Sequence, residues 1–236
     1  VQTTHPFSPS LTPPLLSPSP THIPLVLRVV CLLPFLAVTA LAQEVGTCPP
    51  PGYDAVKDFD LQRYISAPWY VQLQQPVSYQ PPNQLYCVRA KYTLQPDGTS
   101  LQVLNTANEG SVTGPPVGGN PAVGALTATI PDPSRPSKLA VGFSLFGRQL
   151  GSGPYWVVAL DPDYQWAIIT GGPPTQVGLD GTCRTGTGQN DSGFWLFSRK
   201  PVDPENTEIM LEVAREELGL DLSVLLPVQQ EGCTYP

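Results

Sequence analysis

Asp58–Tyr70, DFDLQRYISAPWY, reads as a one-turn helix over Asp60–Tyr64 that runs straight into a strand beginning at a tryptophan. In an extended chain successive side chains alternate, so Trp69, Val71 and Leu73 share one face and Tyr70 and Gln72 the other. A large aromatic placed where a chain enters an all-β body plugs one end of a barrel. A small barrel plugged at one end and open at the other is a cup.

The chain downstream supplies the walls. Strands are predicted at Trp69–Gln74, Tyr86–Leu94, Ser100–Asn105, Gly124–Ile130, Lys138–Phe146, Tyr155–Leu160, Gln165–Thr170 and Phe194–Ser198. Within Tyr86–Leu94 the residues Val88, Ala90, Tyr92 and Leu94 oppose Arg89, Lys91 and Thr93, giving one apolar and one wet face. Pro96-Asp97-Gly98 and Asp161-Pro162-Asp163-Tyr164 read as tight turns. The expected fold is all-β: an eight-stranded antiparallel up-and-down barrel, a size that encloses one small ligand. One helix comes after the last strand, with Asp203 at its N-cap, Pro204 at its first position and Gly219 at its end. Its stripe of Ile209, Met210, Val213 and Ala214 is expected to pack on the barrel's outer wall, leaving Glu212–Glu217 solvated.

Residues 1–42 read differently, as a targeting segment. Val1–Pro24 is rich in Ser, Thr and Pro, and Ile23–Ala42 is apolar with a single charge, Arg28. It ends Ala40-Leu41-Ala42, a small-x-small cleavage pattern. Pro34 and the short run after Arg28 argue against a stable membrane span. That leaves residues 43–236 as a single domain. There, 11 basic residues (12 in the chain less Arg28) face 19 acidic ones, a formal charge of −8. An acidic body without basic runs argues against nucleic acid and against anionic membrane surfaces.

Both histidines, His5 and His22, fall in the targeting segment. The remaining domain therefore lacks Ser-His and Cys-His nucleophile pairs, His-ligated haem and His-containing zinc sites. No metal, cofactor or catalytic residue is assigned. Cys31 lies in the apolar run, which leaves Cys48, Cys87, Cys183 and Cys233. No two of them are spaced as zinc-ligand pairs, so two disulfides are expected, with three pairings open.

Three blocks then line up in order: Asp58–Tyr70, the turn Ala159-Leu160-Asp161-Pro162-Asp163-Tyr164, and Phe194-Trp195-Leu196-Phe197-Ser198-Arg199. They resemble the short helix with Gly-x-Trp-Tyr, the Thr-Asp-Tyr turn and the strand ending in arginine of the lipocalins. The likeness runs from Cys48 to Cys233 and is strongest to the apolipoprotein D-like branch, which includes bacterial outer-membrane and plant plastid members. Ala67 stands where that family has glycine, and Pro68 precedes the tryptophan. The resemblance implies that Arg199 lies across Trp69 at the closed end, both being structural. It also implies the pairs Cys48–Cys183 and Cys87–Cys233.

A plugged barrel with apolar inward positions is expected to carry or scavenge a small hydrophobic ligand: a lipid, fatty acid, retinoid, carotenoid or oxidised lipid. Candidate lining residues are Val88, Tyr92, Val103, Phe143, Leu145, Trp156, Trp166 and Trp195. Small barrels fill much of their interior, so part of this set packs floor and wall. The alternatives are an enzyme on such a ligand, since some lipocalin-fold proteins are de-epoxidases or isomerases, and a protein-binding module using the loops Tyr79–Leu85 and Gly110–Asn120. Those open-end loops are also where a weak membrane or protein contact would fall. Secretion is expected, with a plastid thylakoid lumen as the alternative. Asn190-Asp191-Ser192 is a glycosylation sequon in a Gly-rich loop.

Overall fold

The computed structural model describes residues 46–118, 125–145 and 148–235, so the expected targeting segment 1–42 lies outside the described residues. Eight strands form the barrel: β1 (Trp69–Gln74), β2 (Tyr86–Leu94), β3 (Ser100–Asn108), β4 (Ala125–Thr129), β5 (Lys138–Leu145), β6 (Arg148–Leu160), β7 (Trp166–Thr170) and β8 (Phe194–Ser198). Each pairs antiparallel with the next, and β1 pairs with β8 to close the ring. Closure leaves no free edge for another chain to pair with. β6 begins at Arg148, well before the predicted Tyr155, because Gly153 and Pro154 also lie within its ladder to β5.

The short entry helix α1 spans Leu61–Ile65, where Asp60 accepts hydrogen bonds from the backbone N–H groups of Gln62 and Arg63. The late helix α2 spans Pro204–Glu212 and continues as one wider turn over Val213–Glu217. Asp203 occupies the N-cap position, as expected. Its carboxylate accepts from Ser198 Oγ and Asn206 Nδ2, each at 2.6 Å, tying the helix to the end of β8.

Two apolar clusters divide the molecule. One fills the barrel interior around Trp69, Val71, Tyr92, Leu101, Val103, Ile169 and Phe197. The other lies between α2 and the outer faces of β6, β7 and β8, where Met210, Ala214 and Leu220 meet Trp166, Ile168 and Leu196. Burying a side chain such as Met210 fully contributes roughly 1.5–3 kcal/mol. Ile209, placed in the packing stripe by sequence, is 45% exposed instead. Leu73 also departs from prediction, because a register shift between Val71 and Leu73 on β1 turns it to the outer cluster.

The barrel seam has an unusual construction. β1 and β2 pair only at Trp69–Ala90 and Tyr70–Arg89. Beyond that point the C-terminal tail enters between them. Leu226–Pro227 pairs with Leu73 and Gln74, and Val228 N–H donates to Gln72 O at 2.9 Å. On the other side Cys87 N–H donates to Gln229 O and Gln229 N–H to Leu85 O, both at 2.9 Å. Gln230 Nε2 bridges the strands by donating to Val71 O (2.7 Å) and Val88 O (2.8 Å). A Cys87–Cys233 disulfide holds the tail there, and Cys48–Cys183 joins the lead-in to the loop after β7. These are the two pairs that the family resemblance implies.

Candidate ligand-binding site

The closed end is built from backbone carbonyls at the end of the short helix, in the Ala67-Pro68 segment after it and at Tyr164. The last carbonyls of a helix have no partner within it. Here Arg199 supplies them: its Nη2 donates to Arg63 O (3.0 Å) and Tyr64 O (2.9 Å). Nη1 donates to Ala67 O and to Pro68 O, and Nε donates to Tyr164 O (3.1 Å). A guanidinium carries five N–H donors, and five carbonyls receive them. Its carbon sits 3.4 Å from the centroid of the Trp69 ring, a cation–π contact, while Trp69 Nε1 donates to Tyr64 O at 2.9 Å. Trp69 is wholly buried. Burial pushes the Arg199 guanidinium down to about 10, which leaves it charged at neutral pH.

Above this plug lies a layer of tyrosines. Tyr64 from α1, Tyr92 from β2 and Tyr155 from β6 converge, with Tyr155 Oη 2.6 Å from Tyr64 Oη and 2.8 Å from Tyr92 Oη. Burial raises all three hydroxyls well above their ordinary range, so they remain neutral hydrogen-bonding groups. Sequence singles out neither Tyr64 nor Tyr155 for the site. Tyr64 reads as part of the entry helix, and Tyr155 stands beside the more conspicuous Trp156.

The mouth is made differently. Trp195 on β8 faces the interior and packs against the interior cluster. Room for it comes from Gly193, whose φ of +101° favours glycine and where a Cβ would lie 1.9 Å from the indole. Phe143 on β5 is the register partner of Leu126, which packs on the interior cluster, so Phe143 faces the same way, yet it is 58% exposed. Gln74, at the end of β1, is the register partner of Trp195 and therefore shares its face. It is wholly buried, and its Oε1 has no hydrogen-bond partner among the described residues.

The eight predicted lining residues thus separate. Val88, Tyr92 and Val103 are buried in the interior cluster, Trp195 packs against it, and Phe143 stands at its exposed rim. Leu145 has its side chain outside the described residues. Trp156 and Trp166 are corrections, for both face outward. Trp166 is buried under α2, and Trp156 packs on the same outer cluster with Lys138 Nζ 3.6 Å from its ring centroid. The cause is that β6 and β7 are apolar on both faces, the outer one being covered by the helix, so alternation gives no side. A register shift between Val157 and Ala159 further breaks the count.

None of the eight strands contains Asp or Glu. Among the described residues no group of three or more His, Cys, Asp or Glu is placed to hold a metal ion. The wall can therefore offer apolar surface, tyrosine hydroxyls and two carboxamides, the buried one of Gln74 and the exposed one of Asn105, which shares the inward face as the register partner of Ala90.

Residues 59–178 match the model of the lipocalin-like domain. The outer membrane lipoprotein Blc of Escherichia coli is 30% identical over 209 residues, covering 85% of this chain and 98% of Blc. Mouse apolipoprotein D is 27% identical over 213 residues, covering 86% of this chain and 97% of that protein. Insecticyanin from the tobacco hornworm Manduca sexta superposes with a TM-score of 0.51 at 17% identity, over 80% of this chain and 93% of its own, a likeness of fold. A ring of eight strands plugged by a tryptophan under an arginine, with one helix outside, accompanies these matches: the chain belongs to the lipocalins, in the branch of apolipoprotein D and Blc.

Proposed function

We propose that this protein carries or scavenges a small hydrophobic ligand inside the barrel. The observation that carries the reading is the contrast along one interior face. Apolar side chains line it from a floor sealed by Trp69 and Arg199 to a rim where Phe143, facing inward, is 58% exposed. An inward aromatic left open to solvent is the kind of surface an apolar ligand covers on binding. The family supports the same role. No wall strand carries a carboxyl group, which favours carriage over acid–base chemistry on the ligand.

The finer assignments rest on chemistry. Two disulfides suit an oxidising compartment outside the cytosol, and export is the route we favour. Asn190 is exposed in its loop and open to glycosylation on such a route. Among the described residues no helix is long and apolar enough to cross a membrane.

The test is native mass spectrometry of the purified protein for a co-purifying apolar molecule, backed by fluorescence titration with retinoids, fatty acids and carotenoids. Trp195 is the reporter to watch, since Trp156 and Trp166 lie outside the wall. Quenching that survives Trp156→Phe and Trp166→Phe and falls most in Trp195→Phe, with Trp69 the remaining interior indole, is the expected result. Absence of binding by every probe sinks the carrier reading.

A further inference from the structure

Three glutamines occur on and just after β1, and their amides are treated very differently. Gln72 donates from Nε2 to Tyr70 O, Lys200 O and Pro201 O, and accepts from Asp203 N–H. Gln75 donates to Thr185 O and Gly186 O and accepts from Thr185 Oγ1. Both face outward and both have their oxygen engaged. Gln74 faces the interior beside Trp195, and only its Nε2 is engaged, donating to Gln80 Oε1 at 3.1 Å.

Its orientation is set by a chain of bonds. Gln84 O is a carbonyl and can only accept, and Gln80 turns Nε2 toward it in a long contact of 3.5 Å. Gln80 then has only Oε1 left for Gln74, and Gln74 must answer with Nε2. Exchanging O and N in either amide would set two acceptors or two donors against each other. The atom left over on Gln74 is therefore the acceptor Oε1, wholly buried and without a partner among the described residues. Burying an amide acceptor unpaired is unfavourable, and native proteins seldom leave one without a partner.

We propose that Gln74 Oε1 receives a hydrogen bond from a neutral hydroxyl on the ligand, making it a specificity-determining residue for apolar alcohols. The proposal rests on the carrier reading and deepens it. An ester, ether or carboxylate head brings only acceptors and would meet Oε1 with repulsion. An ammonium head would donate, but no wall strand supplies a carboxylate to balance its charge. A hydroxyl donates without bringing charge. Gln74 lies five residues from Trp69 along β1, about 16 Å of strand. The alcohol end is thus held at the mouth, and the apolar body points down toward the tyrosine layer.

The experiment compares hexadecan-1-ol with its methyl ether, which differ by the hydroxyl proton, and with hexadecanoate. Each is titrated by displacement of a fluorescent apolar probe from the wild-type protein and from Gln74→Met, whose unbranched side chain keeps the shape. The wild type is expected to bind the alcohol about tenfold more tightly than the ether, the scale of one buried polar group paired or unpaired. In Gln74→Met the two should bind within about twofold of each other, with the ether no weaker than in the wild type. Near-UV circular dichroism establishes that the variant is folded, and the wild-type preference stands as a test that needs no variant. Equal binding of alcohol and ether by the wild type overturns the proposal and leaves the carrier reading intact, as does a preference that persists in Gln74→Met. Failure of the probe and all three compounds to bind overturns the carrier reading and this proposal together.

Discussion

The two ends of the barrel treat polar groups in opposite ways. At the closed end Arg199 spends all five donors on five carbonyls, and Trp69 adds its one N–H to the carbonyl of Tyr64. At the mouth Gln74 keeps a buried oxygen unpaired, and Phe143 stays in solvent while facing inward. Saturation at the floor holds the fold together, whereas the deficits at the rim are what a ligand can relieve. One strand, β1, carries both ends, from Trp69 to Gln74.

The sharpest way to break the comparison is Trp69→Ala. Losing this aromatic is expected to lower unfolding free energy by about 3–5 kcal/mol in a urea titration. A loss below about 1 kcal/mol would mean the closed end is not the stabilising end. Arg199→Lys should rank next at about 2 kcal/mol, because an ammonium has three donors on a flexible stem and leaves part-buried carbonyls such as Tyr64 O or Tyr164 O unserved. If lysine restores full stability, saturation of the carbonyls is not what matters.

Acid titration offers a smaller contrast, in the lead-in strap that runs along the wall to the plug. Burial would raise the Asp54 carboxyl, but hydrogen bonds from Lys138 and Arg135 outweigh it and hold the group at about 2. That lies below its unfolded value near 4. The stabilisation is therefore complete above pH ~4 and fades as pH falls toward 2. Asp54→Asn should flatten that acid limb by about 1 kcal/mol, the carboxylate being partly screened by solvent. An unchanged limb would assign acid sensitivity elsewhere. The smallest stability effect belongs to the mouth: Phe143→Ser is expected to move unfolding by no more than about 0.5 kcal/mol. It should nevertheless weaken ligand affinity several-fold by fluorescence titration. A large loss of stability with unchanged affinity would reverse the distinction between the ends.

Sequence reveals these regions unevenly, for physical reasons. β2 and β3 divide apolar from polar residues face by face, so Val88, Tyr92 and Val103 can be placed without coordinates. The entry tryptophan and its arginine lie in recognisable blocks at either end of the ring. Alternation fails for Trp156 and Trp166, because a helix from far along the chain covers their side of the sheet and makes both faces greasy. It fails for Leu73 because one irregular step in β1 reverses parity over the rest of the strand. That same step turns Gln74 inward. In the sequence it is one more glutamine at a strand end, indistinguishable from Gln72 and Gln75. An unpaired atom is a property of surroundings, and no spacing of residue types announces it. Tyr64 and Tyr155 meet only through closure of the ring.

The seam between β1 and β2 carries a consequence for handling and for evolution of the pocket. Because residues 226–230 serve as a ninth stave of the wall, the container is finished only when this segment, distant in sequence from β1 and β2, is in place between them. A thiol reductant unpins this stave from Cys87. Loss of this stave, which its pairing with Leu73 and Gln74 and the Gln230 bridge also hold in place, would leave a slot in the flank level with the buried carboxamide, through which cargo could leave sideways without disturbing the tryptophan plug.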